Sequence, residues 1–197
     1  MDLAYGAPAP LPPELTARLL KPTVRLSGTV DDAMLGRFFD QLGPVLDVEG
    51  AIVLELFTPG GDAEIGRRLA EEIRLLREVG GHDLWFLGKT QVASAGITVM
   101  AAFPPNRRYL THDAALLIHG RRLTRTLELQ GPLSLCRTQL EEALAEIEEG
   151  LRLQAADFER LCAGTGVSAG TLTERAAVGW RLDASEALRQ GLVAGLV

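Results

Sequence analysis

Apolar residues recur along this chain in two rhythms, and the switches between them divide it into strands and helices. Thr23 to Leu26 is a short strand-like run that stops at Ser27-Gly28. Asp31-Asp32 then precede Ala33, Leu35, Phe38, Phe39 and Leu42, a spacing of about 3.6 residues with acid at the end where a helix dipole favours it. Ala51 to Phe57 is a nearly continuous apolar run between turn signals, the pattern of a strand covered on both faces. Thr58-Pro59-Gly60-Gly61 breaks it. From Asp62, the residues Ile65, Leu69, Ile73 and Leu76 with Arg and Glu between them predict an amphipathic helix ending near Gly80-Gly81. Leu84 to Leu87 predicts the next strand, Ala93 to Ala102 a helix of small and apolar residues, and Ala114 to Ile118 a buried strand after the break Pro104-Pro105-Asn106. A long helix is predicted over about 133–162, where Leu135, Leu140, Leu144, Ile147, Leu151 and Leu161 are interleaved with Glu. Strands alternating with helices imply an α/β fold with a largely parallel sheet.

The opening breaks both rhythms. Ala7 to Pro13 carries four of the ten prolines, each fixing φ and removing a donor, so residues 1–22 are predicted as an extended arm and 23–197 as a single domain. A chain of 197 residues can bury a core without disulfides or metals. Its 47% hydrophobic and 23% charged residues exclude the composition of a disordered chain. The net charge of -6 argues against nucleic acid or an anionic membrane as partner, since both are bound through a surplus of Lys and Arg. Cys136 and Cys162, both in helical stretches, give no disulfide framework and no metal-ligand spacing, which predicts a reducing, cytoplasmic setting and no cofactor. Met1 to Leu20 lacks a basic segment followed by an apolar run and a small-residue cleavage site, and no apolar run reaches the roughly 18 residues of a membrane span. The chain therefore reads as soluble and unprocessed.

Three segments carry candidate chemistry, and each alone has a plainer reading. Ser94, in Val92-Ala93-Ser94-Ala95-Gly96, is a hydroxyl among small residues at the start of a predicted helix, where free N–H groups and the positive dipole end would face a developing oxyanion. A serine there also reads as an N-cap. His119 ends the strand Ala114 to Ile118, where α/β folds commonly place functional groups, and a histidine ring can take up and release a proton near neutral pH. It also reads as a hydrogen-bonded structural histidine. Thr58-Pro59-Gly60-Gly61-Asp62-Ala63 joins strand to helix with glycines that can expose backbone N–H groups, and it also reads as an ordinary turn.

Together and in this order, the three segments resemble the Clp protease proteolytic subunit family. Thr58-Pro59-Gly60-Gly61 is similar to that family's Ser-Pro-Gly-Gly segment, Ala93-Ser94-Ala95-Gly96 to its nucleophile motif and Ile118-His119 to its histidine motif, with the serine-to-histidine spacing preserved. Asn106-Arg107-Arg108-Tyr109-Leu110 resembles the stretch before that histidine, and Ala184 to Ala187 before Gly191-Leu192-Val193 a terminal pattern. The resemblance implies a ClpP/crotonase-like fold of repeated β-β-α units with a long handle helix, here about 133–162. It implies a serine endopeptidase acting on peptides or unfolded protein, with Ser94 as nucleophile, His119 as general base, Gly61 and Ala95 N–H groups as oxyanion hole, and a homo-oligomeric ring.

The chain departs from the family at four places, one of them a segment between His119 and Thr165-Gly166 longer than the family's by about one to three helical turns. Counting puts the family's orienting aspartate at Gly179, leaving Asp183 and Glu174 as the nearest substitutes, a Ser-His dyad as the second option, and a weak or inactive subunit working beside an active partner as the third. Gly120-Arg121-Arg122 replaces the usual Gln-Pro after the histidine. The proline arm does not resemble the family's axial loop, so an AAA+ unfoldase partner is not predicted from it. A crotonase-type acyl-CoA enzyme, which shares the backbone oxyanion hole, has no need of a serine and a histidine at these two places.

Overall fold

The computed structural model describes residues 11–47 and 50–197. The elements run α1 (Pro13–Leu19), β1 (Val24–Ser27), α2 (Asp32–Leu46), β2 (Ile52–Thr58), α3 (Ala63–Glu78), β3 (Leu84–Ala93), α4 (Ala95–Ala101), β4 (Arg108–Leu110), β5 (Ala115–Ile118), α5 (Leu133–Cys162), α6 (Ala169–Ala177), β6 (Trp180–Asp183), α7 (Ala184–Arg189) and β7 (Gly195–Leu196). Five strands lie in the order β1-β2-β3-β4-β7, all parallel, and β5 pairs with β3 in parallel and with β6 antiparallel. This is a mixed α/β fold on a mainly parallel sheet.

Local chemistry sets the helix starts. The Asp31 carboxylate accepts the Met34 N–H at 2.8 Å, and the Asp62 carboxylate accepts those of Glu64 and Ile65 at 2.7 and 3.1 Å, so α2 and α3 begin where orphan donors are capped. The main core gathers Leu54 and Leu56 of β2, Phe86 of β3, Phe38 of α2 and Ile73 of α3 on one side of the sheet. The other side of β2 and β3 presents Val53, Trp85 and Leu87 to Leu15 and Leu19. That second layer corrects the expectation of an extended arm through residue 22. Pro12 and Pro13 sit at the N-cap and first position of α1, where the missing N–H costs nothing, and Leu15 and Leu19, one turn apart, bury against the sheet. The proline residues before position 11 lie outside the described residues.

The feature of the sheet that matters for the site is a shift inside β3. Its first half, Phe86 to Gly88, pairs with β4, and its second half, Gln91 to Ala93, pairs with β5. Between them the β2 register slips, from Leu56 opposite Gly88 to Thr58 opposite Val92, and Thr90 takes φ 56°. This irregularity redirects β3 from one neighbour to the other, so the chain leaves β3 beside the end of β5. Below it, Arg108 of β4 is 1% exposed and spends its guanidinium on the carbonyls of Phe103, Leu161 and Leu192 at 2.7, 3.0 and 3.3 Å. Burial pushes its pKa down to about 10. The side chain thus ties the ends of α4 and α5 and the C-terminal segment to one strand. Among the described residues no helix is long and apolar enough to cross a membrane.

Candidate active site

Ser94 is the hinge between β3 and α4. Its N–H donates to the Leu117 carbonyl of β5 at 2.9 Å, its φ and ψ are 54° and -118°, and its side chain caps nothing. The N-cap reading of the sequence is therefore set aside. A non-glycine residue at positive φ stores strain of about 1–3 kcal/mol, and such strain gathers where a side chain must be presented rather than packed. Here it turns a half-buried hydroxyl into a cleft of about 490 Å³ whose lining includes Ser94, His119, Gly61, Arg121, Gln154 and Asp157.

The strand-to-helix turn at Thr58 to Asp62 forms one wall. Gly60 has φ 109°, and a Cβ placed on it would lie 2.6 Å from Ser94 Cβ, so only glycine permits this approach. Thr58, fully buried, accepts the Gly60 N–H on its hydroxyl at 3.0 Å and pins the turn. Gly61 bridges Val30: the Val30 N–H donates to the Gly60 carbonyl at 2.9 Å and the Asp62 N–H to the Val30 carbonyl at 2.8 Å. Gly61's own N–H makes neither of these bonds. The Ala95 N–H, at the first position of α4, has no intrahelical acceptor. Both donors border the cleft that Ser94 enters.

His119 follows directly on β5. Its Nδ1 lies 2.7 Å from the carbonyl oxygen of Gly120, the next residue. A carbonyl can only accept, so Nδ1 carries the proton in this arrangement, and in the neutral ring Nε2 is left as the basic nitrogen. No hydrogen bond joins the Ser94 hydroxyl to the ring. The Gly120 peptide is itself fixed at both ends: the Gly120 N–H donates to the Ala176 carbonyl at 3.2 Å, and the Arg121 N–H donates to Gln154 Oε1 on α5 at 2.7 Å. Beyond it, Arg121 Nη1 pairs with Glu64 Oε1 at 2.7 Å, which links the histidine segment to the start of α3.

The antiparallel ladder sets Ile118 opposite Trp180, which brings Gly179 to the edge of β6 next to His119. The position counted for an orienting acid is thus next to His119 along the ladder, glycine occupies it, and a Cβ there would meet no atom within 4 Å. Neither substitute carboxylate reaches the ring. Asp183 pairs with Ala115 at the far end of β5 and spends its carboxylate on the Glu186 N–H at 2.7 Å as N-cap of α7, while Glu174 is exposed on α6 with no bond to His119. The partner on Nδ1 is a backbone carbonyl, a group that every residue carries and that no motif marks. Asp157, buried in the cleft wall, also escaped the motif reading; burial pushes its carboxyl up against the opposing pull of Arg121, Arg67, Arg160 and Arg74.

The Clp protease family model matches residues 14–197. The ATP-dependent Clp protease proteolytic subunit 2 of Treponema pallidum (strain Nichols) is 29% identical over 156 residues, 77% of this chain and 69% of that protein. An asparagine-to-aspartate mutant of ClpP1 from Listeria monocytogenes shares the fold with a TM-score of 0.71 over 93% of this chain and 95% of that one, at 19% identity.

Proposed function

Because the chain belongs to the Clp protease family, we propose that it is a serine endopeptidase that cleaves peptide bonds through an acyl-enzyme on Ser94. The Ser94 Oγ attacks the scissile carbonyl carbon while His119 Nε2 takes its proton. The oxyanion so formed accepts from the N–H groups of Gly61 and Ala95. Collapse expels the amine, which leaves with the proton from Nε2, and a water activated by the same nitrogen then hydrolyses the ester. The observation that carries this reading is the contact of His119 Nδ1 with the Gly120 carbonyl, because it supports the tautomer whose Nε2 can serve as base in the cleft that Ser94 enters.

Substrates of this reading are extended peptides and unfolded protein. The exposed side chains Leu140, Leu144, Ile147 and Leu151 form a stripe of helical spacing along α5, which supports assembly of the chain with further copies into a ring. The free thiols of Cys136 and Cys162 fit a reducing, cytoplasmic setting. Hydrolysis of a fluorogenic peptide or of casein by the purified chain, lost in Ser94→Ala, tests the activity; equal turnover by both proteins would assign it to a contaminant. A weak or inactive subunit beside an active partner is the second reading, favoured by the absence of a Ser94 to His119 hydrogen bond and by glycine at position 179. Activity that appears only on mixing with another proteolytic subunit would select it.

A further inference from the structure

The Gly120 peptide has two faces, and both are occupied. Its carbonyl faces His119 Nδ1 at 2.7 Å, and the N–H of the same peptide plane, that of Arg121, donates to Gln154 Oε1 at 2.7 Å. A peptide is planar, so fixing its N–H fixes the direction of its C=O. An N–H that donates also polarises the carbonyl across the plane and makes it the better acceptor. Glycine at 120 leaves room for this approach: a Cβ there would lie 3.0 Å from Gln154 Oε1, in tight contact with it. The Gln154 side chain is half-buried on α5, and 33 residues separate it from Arg121 along the chain, so the contact is made by packing rather than by local sequence.

We propose that Gln154 is a positioning residue for His119: it holds the Gly120 peptide so that its carbonyl fixes the proton on Nδ1, in place of the missing orienting acid. The inference rests on the reading of His119 as general base, but its first consequence, the tautomer of the ring, does not depend on turnover. A neutral carbonyl stabilises the charged imidazolium less than a carboxylate does, so the arrangement orients the base while lending it less electrostatic support. The acceptor on Gln154 matters here, and its volume does not.

Two variants of nearly equal size separate these. Gln154→Met keeps the bulk and the helix propensity but offers no oxygen, whereas Gln154→Glu keeps an acceptor for the Arg121 N–H. The full-length chain is prepared with ¹⁵N-histidine, and magic-angle-spinning spectra at pH 8 are read for the ring nitrogens, the His119 signals being assigned by their loss in His119→Gln. Alongside, the rate constant for labelling of Ser94 by a fluorophosphonate is measured for each protein. Wild type and Gln154→Glu are expected to show His119 protonated on Nδ1, and Gln154→Met to shift toward the Nε2-protonated form. Labelling by Gln154→Met is expected to slow about tenfold, the scale of one hydrogen bond, with Gln154→Glu within about threefold of wild type. An unchanged tautomer and an unchanged rate in Gln154→Met overturn the inference while leaving the proposed activity intact. A tautomer that shifts in Gln154→Met, in a wild type that takes no label, supports the positioning role and removes the activity instead.

Discussion

The Nδ1 nitrogen of His119 and the carbonyl oxygen of Gly120 lie 2.7 Å apart, so the imidazole is oriented by the main chain of its own neighbour. A carboxylate in this place can be worth on the order of 10⁴ in kcat, chiefly through the tautomer it enforces and the imidazolium it stabilises. The carbonyl supplies the first of these and little of the second. The expectation is a slow enzyme with the correct geometry, and the site divides into predictions that separate orientation from charge.

Gly179→Asp tests whether an acid is missing or replaced. A Cβ at 179 meets open space, but φ is +83°, so the substitution costs about 1 kcal/mol of backbone strain. With Nδ1 already engaged, the labelling rate is expected to stay within about threefold of wild type, while the melting temperature falls by roughly 2–4 °C. An acceleration of about a hundredfold, part of the way to what a triad acid contributes, would mean that the carbonyl does not fill the role.

Gly60→Ala tests the turn that carries the oxyanion donor. The new methyl would lie 2.6 Å from Ser94 Cβ at a residue with φ 109°, so either the serine or the turn bearing the Gly61 N–H must move. Loss of one such donor typically costs about 10²–10³ in rate. Fluorophosphonate labelling of Gly60→Ala should fall by about that factor with little change in circular dichroism; a rate within about threefold of wild type would detach this turn from the chemistry.

Asp157→Asn gives a stability test with a definite sign. Burial raises the Asp157 carboxyl above its ordinary value, so the native chain binds more protons than the unfolded chain in the window above that value, and stability falls as pH rises through it. At neutral pH the buried carboxylate is a net cost. Urea midpoints of wild type and Asp157→Asn should coincide below the ordinary carboxylate range and separate toward neutral pH, the variant becoming the more stable. A variant less stable at pH 7 would show that the 3.3 Å ion pair with Arg160 outweighs the burial.

How much of this was legible in the sequence differs by element. The helix over 133–162 was readable because its apolar positions recur without interruption, and the observed α5 has those bounds. Ser94 and His119 stand at a helix start and a strand end, but each alone had a plainer reading, and only their order and spacing together with the Thr58 to Asp62 turn singled them out. By contrast β3 was expected to stop at Leu87 and runs to Ala93, since Gly88, Lys89, Thr90 and Gln91 break the apolar run at the irregularity that hands β3 from β4 to β5. The short strand β6 was missed for its length, and α1 because Pro12 and Pro13 read as breakers rather than as a helix start. The Gly120 carbonyl could not be read from sequence at all, because the contact that aims it comes from Gln154, brought there by the packing of α5.

The exposed stripe on α5 bears on assembly. Leu144 and Ile147 are 57% and 45% exposed, so replacing both by Glu leaves the subunit's own core untouched. Light scattering should show a defined oligomer for wild type and a smaller species for the Leu144→Glu, Ile147→Glu variant at unchanged helicity. The same mass for both would move the interface elsewhere.

The central claim is that Ser94 is a nucleophile activated by His119, and covalent labelling reads it most directly. The full-length chain is treated with a fluorophosphonate and mapped by peptide mass spectrometry, beside Ser94→Ala and His119→Gln. The account predicts a single adduct on Ser94 in the wild type, none in Ser94→Ala, and labelling slowed by about 10³-fold or more in His119→Gln. A wild type that remains unlabelled, or carries the adduct on another residue, would contradict it.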